Sequence, residues 1–183
     1  MASHIAFPGF GSPAAGPDAP LQMLEACHQR MQRQCATLRR LVAHLPAHGS
    51  DTQAREAAQA VMRYFDISAP QHHADEEADL LPALQEAMAG SDAVCIRGMA
   101  QRLAEEHRQL ESAWERLRPA LESIAAGQSS PLSADDAESF VEATLSHLAY
   151  EESEVLPMAE RLLLDDQLQQ IGQAMAARRG LKS

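Results

Sequence analysis

The chain has 183 residues, 45% of them hydrophobic and 22% charged, enough for one domain with a sizeable core. Its net charge of −11 excludes the basic surface that a nucleic-acid backbone or an anionic membrane requires, so neither is expected as a partner. Only 4% of residues are aromatic, and Ala, Leu, Gln, Glu and Arg dominate, which favours helix over strand.

Residues 1–19 are rich in Gly and Pro and read as an irregular arm, with Phe7 and Phe10 available to pin it to the body. Pro20 suits the first turn of a helix, with Asp18 as its cap. That helix runs to about Leu45, stopped by Pro46 and Gly49. A second starts near Asp51, is interrupted at Ser68-Ala69-Pro70, and resumes through Ala89. A third spans about Ser91 to Ala126, with a kink expected at Pro119. After the loop from Gly127 to Pro131, Ser133 caps a fourth helix, with Asp136 as a weaker partner in the cap. This helix reaches at least Leu156. A further helical stretch follows Pro157, with Leu164, Leu168, Ile171 and Met175 as its apolar stripe and Arg178-Arg179-Gly180 as its end.

Short connections favour antiparallel neighbours. The expected fold class is therefore all-α: an up-down-up-down four-helix bundle over residues 20–157, with an irregular N-terminal arm (1–19) and an additional C-terminal helix (158–183). The tail either folds back on the bundle or pairs with a second copy in a homodimer.

The three cysteines, Cys27, Cys35 and Cys95, form no CxxC pair and read as reduced core thiols. No basic segment followed by an apolar one opens the chain, and no apolar run approaches the ~18 residues that span a bilayer. A cytoplasmic location is the expectation.

One internal match carries chemistry. Residues 72–82 read HHADEEADLLP and residues 147–157 read HLAYEESEVLP, so both fit H-x-x-x-E-E-x-x-x-L-P. Residues four apart on a helix share a face, so His72 with Glu76, and His147 with Glu151, each place an imidazole beside a carboxylate. A neutral ring nitrogen next to an anionic oxygen is a metal-binding arrangement. One such pair occurs by chance; two copies with the same trailing Leu-Pro are far more specific.

The heptad pattern supplies the partners. The inward seam of the first helix is Leu24, His28, Met31, Cys35, Leu38, Val42 and Leu45, where His28 is the polar exception. The third helix gives Ile96, Met99, Leu103, His107, Leu110, Trp114, Leu117, Leu121 and Ile124, with His107 as the exception. The fourth gives Phe140, Thr144, His147, Glu151 and Val155. His28 lies 17 residues before Leu45, His72 17 before Ala89, His107 16 after Ser91 and His147 14 after Ser133. Glu151 lies 18 after Ser133. At about 1.5 Å per residue these distances put the four histidines and Glu151 roughly 21–27 Å from the connecting turns, at one level of an antiparallel bundle. The candidate metal ligands are therefore His28, His72, Glu76, His107, His147 and Glu151.

Neighbouring groups are assigned blander roles. His73 and Glu77 form a second HxxxE pair one step around the helix, but the match of Pro82 to Pro157 selects His72 and Glu76; His73 reads as peripheral or exposed. Glu111 reads as a solvated carboxylate, His4, His44 and His48 as arm and loop residues, and Tyr64, Tyr150 and Trp114 as packing. Burying ionisable groups without partners costs several kcal/mol each, against a total stability of about 5–15 kcal/mol, so six together argue for a bound cation.

A histidine, then His-xxx-Glu, then a histidine, then His-xxx-Glu on successive helices resembles the hemerythrin-like HHE cation-binding domains, over about residues 20–157. The resemblance implies two iron ions, bridged by an oxo or hydroxo group and by Glu76 and Glu151, with His28, His72, His107 and His147 as terminal ligands. Oxygen-carrying hemerythrins have an HxxxH pair on the third helix, where this chain reads His107-Arg-Gln-Leu-Glu111. The four-His, two-Glu set is similar to a bacterial branch linked to nitric oxide handling and iron-centre repair. That branch carries an N-terminal segment with cysteine; here the arm reads FPGFGSPAAGP. The expected function is a di-iron protein that binds or senses O2, NO or related small oxidants, its partner being a small diatomic or peroxide ligand. The alternative is a di-iron enzyme (oxidase, peroxidase or NO reductase) or an iron donor. Manganese or another divalent cation is served by the same nitrogen and oxygen donors.

Overall fold

The computed structural model describes residues 18–88 and 93–181. The expected arm with His4, Phe7 and Phe10, and the expected helix limits at Ala89 and Ser91, lie outside the described residues. Every regular element among the described residues is helical, as an all-α bundle requires.

The first rod is α1 (Pro20–His48). Its N-cap is Ala19 with no side-chain cap, so Asp18 does not hold the end. Proline already presets φ for the first turn and brings no N–H that needs a partner. The helix passes Pro46 and stops before Gly49, which takes φ 61° and donates to the Leu45 carbonyl at 2.8 Å. Glycine in the left-handed region, rather than proline, ends it.

The second rod is α2 (Thr52–Arg63), α3 (Ala69–Asp75) and α4 (Leu81–Ala87), joined by two π-turns at Tyr64–Ser68 and Glu76–Leu80. Asp51 caps its start by accepting from the Ala54 N–H at 2.8 Å. The third rod is α5 (Ala93–Ala125), one continuous helix through Pro119. The fourth is α6 (Ala134–Tyr150), capped by Ser133, then a third π-turn (Glu151–Val155) and α7 (Leu156–Leu162).

The expected interruption at residues 68–70 is thus a local widening, not a break. Each π-turn is followed by a proline at the second position beyond it: Pro70, Pro82 and Pro157. The closing bonds run from Ala69 to Tyr64, Leu81 to Glu76 and Leu156 to Glu151, one residue longer than in an α-helix. A wider turn relieves the clash between the proline ring and the carbonyl four residues back.

After a break at Leu163–Leu164, α8 (Asp165–Arg178) packs back on α1, α3 and the Glu76–Leu80 turn. Ile171 and Met175 are buried, whereas Leu164 is 71% exposed and leaves the expected stripe, because it falls in the break between α7 and α8. Gly180, at φ 66°, closes α8, and the Leu181 N–H reaches back to the Ala176 carbonyl at 2.9 Å.

The rods pack in a ring: α1 against α2 and α6, and α5 against the same two. Two apolar clusters result. One joins Met31 and Leu38 with Val61, Leu117, Leu121 and Phe140. The other joins Leu24, Leu80, Ile96 and Val155 with Ile171 and Met175. The nine expected seam residues of α5 and the five of the fourth rod are all buried. In α1 the buried residue near the end is Leu41, while Val42 and Leu45 are half-buried. A straight helix drifts off a strict seven-residue repeat, so the stripe shifts by one position over several turns. Of the thiols, Cys27 and Cys35 are buried as expected, but Cys95 is exposed.

Candidate metal centre

Between the two apolar clusters lies a polar layer. His28 and His72 are 0% exposed, Glu151 1%, Glu76 and His147 2%, and His107 4%. All six residues expected from the sequence converge there, from α1, α3, α5, α6 and the first residues of two π-turns.

They sort into two overlapping groups. His28, His72, Glu76 and Glu151 offer one donor atom each within 4.8 Å of one another, and so do Glu76, His107, His147 and Glu151. The two carboxylates are common to both. On one side, His28 Nε2 lies 3.0 Å from Glu151 Oε2, and His72 Nε2 lies 3.2 Å from Glu76 Oε1. On the other, His147 Nε2 lies 2.8 Å from Glu151 Oε1, and His107 Nε2 lies 3.2 Å from Glu76 Oε2. So each carboxylate turns one oxygen to each group.

The donor set fits cations. The inward atoms His28 Nε2, His72 Nε2, Glu76 Oε2 and both oxygens of Glu151 are buried without hydrogen bonds. Buried polar atoms without partners are costly, and a cation removes the cost for all of them at once. The Nε2 atoms of His107 and His147 face each other at 3.1 Å. Adjacent nitrogens on one ion, with metal–nitrogen bonds of about 2.1 Å, are separated by about 3.0 Å.

Three of the four outward ring nitrogens are held as well, while Nδ1 of His72 is buried without a hydrogen bond. Glu152 lies 3.1 Å from His28 Nδ1, Glu77 2.6 Å from His107 Nδ1, and Glu106 2.8 Å from His147 Nδ1. Each carboxylate accepts from Nδ1–H, which fixes the tautomer with the Nε2 lone pair aimed inward. Glu77 and Glu152 are the second glutamates of the repeated motif. The spacing rule selected only the first, and the register of E-E in both copies was the available signal.

Electrostatics report how the cluster manages without a cation. Burial pushes the Glu151 carboxyl up, but the facing imidazoles of His107, His147, His28 and His72 hold it well below the usual carboxylate range. Burial pushes His72 down, and the Glu76 charge more than offsets this, leaving it well above the ordinary value. His107 is raised to about 10 by Glu151 and Glu76 against its burial. Protons on the imidazoles stand in for the positive charge that the carboxylates require.

His73 departs from the expectation of a peripheral or exposed residue. It is half-buried, and its Nε2 is buried without a hydrogen bond. Burial and the charges of His107, His72 and His147 push it well below the ordinary histidine value. Tyr64 donates to the Cys27 carbonyl at 2.9 Å, and Tyr150 sits under the Arg102 guanidinium at 3.5 Å, so both serve packing. Glu111 is exposed. Beside His73 and His107 a cavity of about 500 Å³ opens between α3 and α5, lined also by Phe65, Leu110, Trp114 and Glu77.

Among the described residues no helix is long and apolar enough to cross a membrane. A protein of Haemophilus influenzae described as "Uncharacterized protein" is 31% identical over 163 residues, which covers 89% of this chain and 91% of that protein. The sequence profile described as "Hemerythrin HHE cation binding domain" matches residues 19–159, the stretch that carries every member of the buried cluster. The buried histidine and glutamate donors and that match agree, and the chain belongs to the hemerythrin HHE cation-binding domain family.

Proposed function

We propose that this chain holds two iron ions and binds or senses O2, NO or a related small oxidant. His28, His72, His107 and His147 act as terminal ligands, and Glu76 and Glu151 are shared between the ions. The observation that carries this reading is the pair of four-residue donor groups with two carboxylates in common. Two buried carboxylates, each with one oxygen toward each group, suit two cations better than one.

When bound, the metal supplies Lewis acidity and redox change. The rest falls to side chains. Glu77, Glu106 and Glu152 orient three of the imidazoles through Nδ1. Apolar residues above and below the layer keep bulk water away. The cavity beside His107 gives a small ligand a way in between α3 and α5. Its volume, about 500 Å³, exceeds what a diatomic needs and also favours a second reading, an enzyme that turns over a peroxide or a larger substrate.

Aerobic purification after iron-replete expression, followed by metal analysis and an optical spectrum, tests the proposal. The expected result is about two irons per chain and a ferric spectrum that bleaches with dithionite and returns in air. A chain that carries no transition metal overturns it. Manganese in place of iron corrects the metal, and sustained turnover of peroxide or NO moves the assignment to the enzyme.

A further inference from the structure

The cavity between α3 and α5 has an interior and a mouth of different chemistry. Three rings form one wall: Phe65 lies 5.1 Å from Trp114 and 4.9 Å from Phe140, centroid to centroid, and Trp114 lies 5.8 Å from Phe140. Asp66 accepts from the Trp114 indole N–H at 2.9 Å, which fixes the plane of that ring. The inner end meets His107, whose two ring nitrogens are already taken by Glu76 and Glu77, and His73, whose Nε2 is buried. An apolar body suits this interior better than a charged one. The mouth is acidic. Asp66, Glu77, Glu111 and Glu115 line it against Arg108 and Arg118. Both guanidiniums are committed, Arg118 to Asp66 at 3.1 Å and Arg108 to Glu105 at 2.7 Å, and Glu77 serves His107. Glu111 and Glu115 lie four apart on one exposed face of α5, and among the described residues neither has an ion-pair partner. Unpaired carboxylates in front of ring faces attract an organic cation and repel an anion.

We propose that this cavity binds an organic ammonium ion with an aromatic body. The body lies against Phe65, Trp114 and Phe140, and the ammonium stays at the mouth beside Glu111 and Glu115. The volume of about 500 Å³ is ample for such a molecule. Binding of this kind needs no metal, so the proposal goes beyond the two-cation reading and stands apart from it.

Trp114 is the one tryptophan of the chain, so its fluorescence reports on the cavity directly. Phenethylamine, 2-phenylethanol and 3-phenylpropionate each carry a phenyl ring and are a cation, a neutral molecule and an anion near pH 7. Titrated into the purified full chain, phenethylamine is expected to change the Trp114 emission saturably, and 3-phenylpropionate to bind at least about tenfold more weakly. The double variant Glu111→Gln/Glu115→Gln is expected to weaken phenethylamine at least about fivefold, to leave 2-phenylethanol within about twofold of wild type, and to keep wild-type metal content. A Trp114 emission that phenethylamine does not change saturably overturns the proposal. So does an amine affinity no greater than that of the anion, or one that the double variant leaves unaltered. Metal content of the same samples decides the two-cation reading separately, so the two can fail independently.

Discussion

Consecutive glutamates grip one imidazole from both sides: Glu77 lies 2.6 Å from Nδ1 of His107, and Glu76 lies 3.2 Å from Nε2 of the same ring. The fourth rod repeats the device on His28, with Glu152 at 3.1 Å from Nδ1 and Glu151 at 3.0 Å from Nε2. In both copies a π-turn starts at the first glutamate. Each E-E pair therefore grips a histidine from another rod: one grip ties the second rod to the third, and the other ties the fourth to the first, both at the polar layer.

Removing an outer grip should loosen metal binding without emptying the site. Glu77 and Glu152 are 45% and 44% exposed, so the lower end of the usual range applies, about a tenfold loss of affinity for Glu77→Gln or Glu152→Gln. Competition with a chelator measures it. Glu111→Gln, on the exposed face of α5, should bind metal as wild type does.

The inner donors should matter more. His72→Ala and Glu151→Ala are each expected to lower metal content to below about half of wild type, with Glu151→Ala the more severe because its oxygens face both groups. Metal analysis of the purified variants decides this, and full occupancy in both would refute the ligand assignment.

Stripping the metal should destabilise the fold, because buried donors then rely on shared protons. Free metal at about 100 times its dissociation constant stabilises by about 2.7 kcal/mol, or roughly 5–10 °C in Tm for a chain this size. Thermal unfolding with and without a chelator gives the difference. An unchanged Tm would mean that the cluster is satisfied without a cation.

Asp75 is 0% exposed and is paired with Arg178 and Arg179 from the end of α8; Arg178 also bonds Asp79 at 2.8 Å. Removing both arginines strands a buried carboxylate next to Glu76. The double variant Arg178→Ala/Arg179→Ala should lose about 3 kcal/mol in urea unfolding. Adding Asp75→Asn should recover part of that loss, since the uncompensated charge goes with it.

Burial pushes the Cys35 thiol up to about 11 from an ordinary 9.0. The folded state therefore favours the neutral thiol. Its contribution is present below about pH 9 and is lost as pH rises toward 11, where the unfolded chain ionises first. Alkylation at pH 8 should label exposed Cys95 readily and Cys35 only after unfolding. Rapid labelling of Cys35 in the folded protein would contradict its burial.

The seam of the third rod was legible: every expected residue from Ile96 to Ile124 is buried, because a 3.5-residue repeat over a long uninterrupted helix leaves few alternatives. The repeated H-x-x-x-E-E-x-x-x-L-P motif also located both carboxylates. Helix limits were less legible. Pro46 looks like a stop and Pro119 like a kink, yet both sit inside continuous helices, while Pro70, Pro82 and Pro157 are absorbed by π-turns. A proline restricts the backbone locally, but how the chain accommodates it depends on the packing around it.

The sequence by itself determined that this chain is an all-α bundle with one layer of histidine and glutamate, since periodicity and a doubled motif are local properties of the chain. Only the tertiary structure decided what the second glutamates do, that Arg178 and Arg179 close over Asp75, and that His73 turns toward His107 rather than outward. Those roles depend on which side chain from another helix arrives at a given depth and angle. Spacing along one helix does not encode that, because it is set when four rods and α8 pack around a shared core.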